Sequence, residues 1–273
     1  MLKDITLGQF FPGNSIVHRI DPRFKLILTG LFIAIVFCAK TVAGYAIVLG
    51  LLLFIVLNSK ISPKLIFKSL KAIVVFVLFT AVLNLFFTSS ETPWFHWRFI
   101  TIGPEGVIFA VKMVLRIVFL ITGTSMLTYT TSPIMLTDAI EQLFSPLKKL
   151  RLPIHELAMM MSIALRFIPT LIEETDKIMS AQRSRGADFD SGNLIRRARS
   201  LIPLLIPLFV SAFRRADELA TAMESRCYRG GEGRTKYKVM HSSAKDFVAL
   251  GVFVLVLAAV IVLGHFGIGR FGI

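Results

Sequence analysis

"GVIFAVKMVLRIVFLITGTSMLTY", Gly106 to Tyr129, runs for 24 residues and carries only two charges. As a helix it would rise about 36 Å, enough to cross the ~30 Å hydrocarbon core of a bilayer. Similar runs lie near Phe24–Ala39, Thr41–Leu57, Ala72–Phe87 and Phe247–Ile268. The third is short, and Lys68 and Lys71 at its edge can snorkel and extend it. The chain has 273 residues, is 55% hydrophobic and has a mean hydropathy of +0.72, which is too apolar for a soluble domain of this size. Five membrane spans are therefore expected in an all-α polytopic integral membrane protein. Four lie in an N-terminal region over 1–130, and the last in 244–273. The stretch "MLKDITLGQFFPGNS" lacks the basic, apolar and small-residue order of a cleavable signal, so the first span is expected to direct its own insertion.

The net charge of +14 is unevenly spread. Of 31 Lys and Arg, four lie in 1–25, four in 59–71 and seventeen in 131–243. With five spans these basic groups share one side, and the positive-inside rule makes that side the cytoplasm. The N-terminus and the 131–243 segment then lie inside and the C-terminus outside. A basic balance on such a chain points to anionic headgroups or acidic protein partners rather than nucleic acid. Cys38 falls within a span and Cys227 in a basic segment, so neither a disulfide nor a metal site is expected from them.

In "DPRFKL", Asp21 can cap the first span and Pro22 suits its first turn. Arg23 and Lys25 oppose the helix dipole there and are read as topology determinants. The 88–105 loop, with Trp94 and Trp97, reads as a short aromatic-belted connection at the outer interface. The 131–243 segment is too polar to span and too apolar to be disordered. "TSPIMLTDAIEQLFSPLKKL" reads as a short amphipathic helix with Ser132 as N-cap and Pro133 in its first turn. "PIHELAMMMSIALRFIPTLIEETDKIMSAQRSRG" reads as one long helix or two joined ones, with a bend at Pro169. "LIRRARSLIPLLIPLFVSAFRRADELATAMESRCY" repeats the plan, with Pro203 and Pro207 as bend points. "ADFDSGN" between them is a turn-rich linker. These amphipathic helices suit the inner membrane surface.

Both long helices end alike. Aligning Arg185 with Arg226 places Ile178 with Leu219, Ala181 with Ala222, and Ser184 with Ser225. Positions three, four and seven apart share a helix face. Each arginine thus ends a stripe of apolar and small residues, and its planar fork can meet a carboxylate bidentately in a groove. Gly186 fits a helix C-cap. A basic residue in a last turn also suits the helix dipole, but dipole stabilisation does not require alanine four positions earlier.

The sequence resembles the transmembrane (T) component of energy-coupling factor transporters, ATP-driven importers of vitamins and metal ions related to ABC transporters. The resemblance begins with "SIVHRIDPRFKL", continues through "LTYTTSPIMLTDAIEQLFSPLKKL" and the helix ending "AQRSRG", and closes with "AMESRCYRGGEGRTKY". The family's paired Ala-Arg-Gly-like motifs correspond to Ser184–Gly186 and Ser225–Cys227, with Ser in place of Ala in both and Cys in place of Gly in the second. The resemblance implies that Arg185 and Arg226 dock into grooves on two ABC-type ATPase subunits. It implies that the apolar faces of the same cytoplasmic coupling helices hold a membrane-embedded, substrate-binding S component. ATP and Mg would reside on the partners, and this chain, in a prokaryotic cell membrane, would bind no cofactor and catalyse nothing.

"GGEGRT" lacks the phosphate-loop pattern, and the five histidines are scattered without metal-ligand spacing. Lys112 and Arg116 are the charges inside a span, on one helix face, and intramembrane charges mark functional candidates. By depth Asn84 is expected to pair with Lys112, and Thr80 with Arg116. A self-sufficient secondary permease or channel is the other reading, but it calls for midplane polar groups in paired spans.

Overall fold

The computed structural model describes residues 10–87, 95–97, 100–150, 152–189, 191, 193–231 and 240–266. The chain divides into two compact units, Gly8–Ala139 with Val239–Ile273, and Ile140–Lys238.

In the first unit the helices are α1 (Ile16–Arg19), α2 (Pro22–Cys38), α3 (Val42–Ser59), α4 (Pro63–Lys71), α5 (Val74–Phe87), α6 (Pro104–Thr130) and α11 (Ala244–Phe266). They occur at all five positions read as spans. Phe247–Ile268 is described only as far as Phe266. α4 and α5 meet at 58°. The apolar part of the third span is thus the 14-residue α5, and the lysine-bearing α4 turns away from it. Phe95–Trp97 (β1) pairs antiparallel with Ile100–Ile102 (β2), so the loop read as a simple connection holds a small hairpin. Trp94 lies outside the described residues.

α2 supplies Leu28, Phe32, Ile35 and Val36 to the buried core, where they meet Tyr45, Val48 and Leu52 of α3, Phe119 of α6 and Phe253 and Val260 of α11. Gly123 of α6 permits the close approach of Phe32, since a Cβ there would lie 2.2 Å from the ring. On α5, Val75, Phe76, Leu78 and Phe79 are exposed, as expected where lipid is the solvent.

The start of α2 departs from the sequence expectation. Asp21 caps it by accepting from the Arg23 backbone N–H at 2.9 Å, and the Arg23 guanidinium forks onto the same carboxylate at 2.6 Å. Burial alone would push the Asp21 carboxyl up, but hydrogen bonds and charge from Arg23, with Lys25 beyond, hold it below its ordinary range. Lys25 is not a solvated topology marker. It is buried, and its ammonium donates to the His18 carbonyl (3.2 Å), the Thr130 carbonyl (2.9 Å) and the Thr131 hydroxyl (3.3 Å). The last carbonyls of α6 have no partner within their own helix and attract a cation, which is what draws Lys25 inward. Buried Asp246, at the start of α11, accepts from the backbone N–H of Asp21 (3.2 Å) and of Ser243 (2.7 Å). One polar knot thus ties the beginnings of α2 and α11 to the end of α6.

In the second unit α8 (Ile154–Ser184), α9 (Leu194–Ser200) and α10 (Ile202–Ser225) follow a 3-10 turn (Ser145–Leu150), and α7 (Pro133–Leu143) runs across the division. Ser132 caps α7 as expected, its hydroxyl accepting from the Met135 N–H at 3.3 Å. α8 is one continuous 31-residue helix with Pro169 inside it. Pro203 does not bend a helix but begins α10 after a break at Leu201, while Pro207 sits within α10. Four helices are long and apolar enough to cross a membrane, namely α3, α6, α8 and α11, and the α4–α5 pair makes up to five. α2, with 17 residues, is not among them. α8 is, because its charges gather toward its C-terminal half. Length and composition therefore do not bar α8 from spanning, contrary to the reading of 131–243 as too polar throughout.

Lys25→Met would leave the buried Thr130 carbonyl and the half-buried His18 carbonyl without their donor, a loss of about 1–3 kcal/mol at the usual cost of an unsatisfied buried group. Thermal unfolding of the detergent-solubilised chain should show a clear drop in melting temperature. An unchanged midpoint would mean that the ammonium is not a structural tie.

Candidate functional site

The two arginines terminate α8 and α10 with the same backbone device. At the first, Gly186 has φ +86°, its N–H donates to the Arg183 carbonyl and the Ala187 N–H to the Gln182 carbonyl, both at 3.0 Å. At the second, Cys227 takes the glycine position with φ +56°, its N–H donates to the Glu224 carbonyl (2.8 Å) and the Tyr228 N–H to the Met223 carbonyl (3.0 Å). Both are Schellman caps, one closed by glycine and one by a cysteine forced into the left-handed region. The glycines at 230 and 231 are therefore not needed to end α10.

Arg185 and Arg226 sit at the C-cap positions with φ −90° and −93°, so the caps impose the same backbone on both. Both side chains are exposed, as are Ala181, Ala222, Ser184 and Ser225. The Ser184 hydroxyl donates to the Ser180 carbonyl and that of Ser225 to the Ala222 carbonyl, each at 3.1 Å. Each serine is thereby folded back on its own helix, leaving the guanidinium as the projecting group.

α8 and α10 run antiparallel. Gln182 Nε2 donates to the Pro203 carbonyl at 3.5 Å, Arg215 pairs with Glu174 at 3.0 Å, and Gly231 lies against the His155 ring. The partially exposed Arg215–Glu174 pair aligns the helices more than it stabilises them. In this register Arg226 stands beside the N-terminal half of α8, level with about Ile163. Arg185 is 22 residues further along, so the tips lie roughly 33 Å apart at 1.5 Å per residue. The tips also differ. Arg226 lines a cavity of about 670 Å³ between Met159, Ile163 and Arg166 of α8 and Leu219 and Met223 of α10, which Arg229 also lines. Arg166 and Arg229 escaped the sequence reading. Arg166 has no counterpart in the repeated motif, and only the antiparallel pairing brings it to Arg226.

The intramembrane polar residues are arranged otherwise than expected. The Asn84 amide donates to the Thr80 carbonyl at 2.7 Å and the Thr80 hydroxyl to the Val77 carbonyl at 2.9 Å, so both bond along α5. The Arg116 guanidinium lies 5.5 Å over the Phe37 ring of α2, and the Tyr45 hydroxyl donates to the Lys112 carbonyl at 3.5 Å. Arg116 thus meets the Phe37 ring rather than Thr80, and its buried Nε has no hydrogen-bond partner among the described residues. Among the described residues no group of three or more His, Cys, Asp or Glu could hold a metal ion.

Apolar helices long enough to cross a membrane, together with a pair of antiparallel helices that each end in an exposed arginine, define an all-α polytopic membrane protein. A family model described as cobalt transport protein (CbiQ) matches residues 13–237. The chain is 52% identical over 271 residues to the energy-coupling factor transporter transmembrane protein EcfT of Clostridium kluyveri, covering 99% of this chain and 100% of that one. It is 52% identical over 265 residues to that of Ruminiclostridium cellulolyticum, with coverage of 97% and 99%. It is 49% identical over 261 residues to that of Bacillus subtilis, with coverage of 96% and 98%. The chain belongs to the family of energy-coupling factor transporter transmembrane proteins.

Replacing Cys227 by glycine should stabilise the second tip by about 1 kcal/mol, since a left-handed non-glycine residue costs about 1–2 kcal/mol and glycine recovers part of that. Gly186→Ala should loosen the first tip by a similar amount through backbone strain alone, because a Cβ there meets nothing within 4 Å. Amide exchange in the last turns of α8 and α10 would report both. The same exchange rates in all variants would rule out the caps as the determinant.

Proposed function

We propose that this chain is the energy-coupling scaffold of an ATP-driven vitamin or metal-ion importer. α8 and α10 are its coupling helices, and Arg185 and Arg226 seat in grooves on two ABC-type ATPase subunits. The observation that carries this reading is the pair of exposed, identically capped arginine tips at opposite ends of an antiparallel helix pair. Tips roughly 33 Å apart cannot share one socket, so each needs its own, and like tips call for like sockets.

Leu157, Met160 and Met161 of α8 and Ile206, Phe209 and Phe213 of α10 are exposed and apolar. Such faces fit a seat for a membrane-embedded, substrate-binding S component, which would choose the solute. Closure of the ATPases on ATP would move the tips, and rigid helices would carry that movement to the seated subunit. In this reading the nucleotide and its metal belong to the partners and the chain performs no reaction. The N-terminus and both coupling helices lie on the cytoplasmic side, with α8 along the membrane surface rather than across it.

Arg185→Glu combined with Arg226→Glu should abolish co-purification of the ATPases and solute uptake in membranes, while each single variant retains one docking site and part of the assembly. Intact assembly and uptake in the double variant would refute the docking. Uptake by the purified chain alone in liposomes would favour a permease instead.

A further inference from the structure

The membrane unit contains a cavity of about 770 Å³, within the range of small-molecule sites, enclosed by α2, α3, α6 and α11 and the short α1. Its lining is polarised. Arg19, Asn58 and Lys245 stand at helix ends, beside the Lys25 knot. Phe32, Leu51, Gly123 and Phe253 lie seven or eight residues further in, counted from Lys25, Asn58, Thr130 and Lys245. That is about 11 Å below the charged end along the helix axes. Exposed Phe54, Val248 and Val252 frame its open side, which faces where lipid lies.

The charges say what such a slot receives. All three donors of Lys25 are spent on oxygens of the protein, so it contributes its charge but no free N–H. Arg19 and Lys245 are exposed, and their side chains make no hydrogen bond or ion pair among the described residues. Among the described lining residues the one carboxylate, Asp246, is buried and accepts from two backbone N–H groups. The entrance is thus net positive and its interior is apolar. Basic pockets between spans at the headgroup level bind anionic lipid headgroups, and the apolar depth rewards an acyl chain.

We propose that this cavity is a binding site for one anionic phospholipid. Its phosphate lies against Arg19 and Lys245, and an acyl chain fills the slot between Phe32 and Phe253. The site needs no other subunit and does not rest on the coupling reading.

The test uses the full chain reconstituted in nanodiscs containing equal parts of phosphatidylglycerol and phosphatidylcholine. After transfer to detergent, native mass spectrometry counts the retained lipid. One phosphatidylglycerol should be retained, favoured roughly tenfold or more over phosphatidylcholine. Arg19→Gln with Lys245→Gln should bring that preference close to parity. Val252→Trp, at an exposed position on the open side, should expel both lipids without lowering the melting temperature, and Leu51→Trp gives a second reading from the facing wall. Equal retention of the two lipids by the unaltered chain, or retention indifferent to both tryptophans, would overturn the proposal. So would displacement by inorganic phosphate alone, which marks a free-anion site. One-for-one displacement of the lipid by an added substrate-binding membrane subunit would also overturn it, since the slot would then be a seat for a protein helix.

Discussion

The antiparallel register of α8 and α10 is the constraint on which the rest depends. Each helix alone is a long amphipathic rod with an arginine at its C-terminal end. Side by side and reversed, the rods put those arginines at opposite extremes of one rigid body. Parallel packing of the same sequences would have brought the tips together, where two guanidinium groups repel and one groove could serve both. Neither the ion pair nor the amide bond between the helices contributes much energy. Their value lies in fixing which residues stand opposite, while the half-buried apolar residues between them supply the adhesion.

The repeat at the two tips was legible because helix ends are local. Arginine one position after serine and alanine four before it can be read at both tips, and a glycine C-cap at the first. Even the substitution of glycine by Cys227 changes the strain of the cap and not its geometry. The spans were legible for the same reason, from runs of apolar residues. What could not be read was anything decided by residues far apart in the chain. Lys25 looked like a topology charge because its buried carbonyl partner, that of Thr130, lies 105 residues away. Arg166 could not be picked out, because it has no counterpart in the repeated motif and meets Arg226 only across the helix pair. Asn84 and Thr80 were matched to Lys112 and Arg116 by depth, but short polar side chains in a helix find the carbonyl four residues back before any neighbour. The polar appearance of 131–243 came from averaging. Within α8 an apolar N-terminal half and a charged C-terminal half are joined at Pro169 without a break.

The membrane unit solves a different problem. Helix ends in a bilayer leave carbonyl and amide groups that water cannot fully reach, and the ends of α2, α6 and α11 settle this among themselves. Asp246 takes the amides, Lys25 takes the carbonyls, and Arg23 closes the far side by donating to the Met240 carbonyl at 3.2 Å. This knot holds the helix beginnings, whereas the apolar core a few turns inward holds the helices to one another. Between the two levels the packing is open enough to leave a cavity, with Phe32 pressed on Gly123 as its floor.

The most direct measurement is the distance between spin labels placed at Ser184 and Ser225 in the purified chain, with Cys38 and Cys227 replaced. Antiparallel helices in the register found here require a single distribution centred at about 30–35 Å. A distribution centred below about 20 Å would place the tips side by side and contradict the two-socket arrangement.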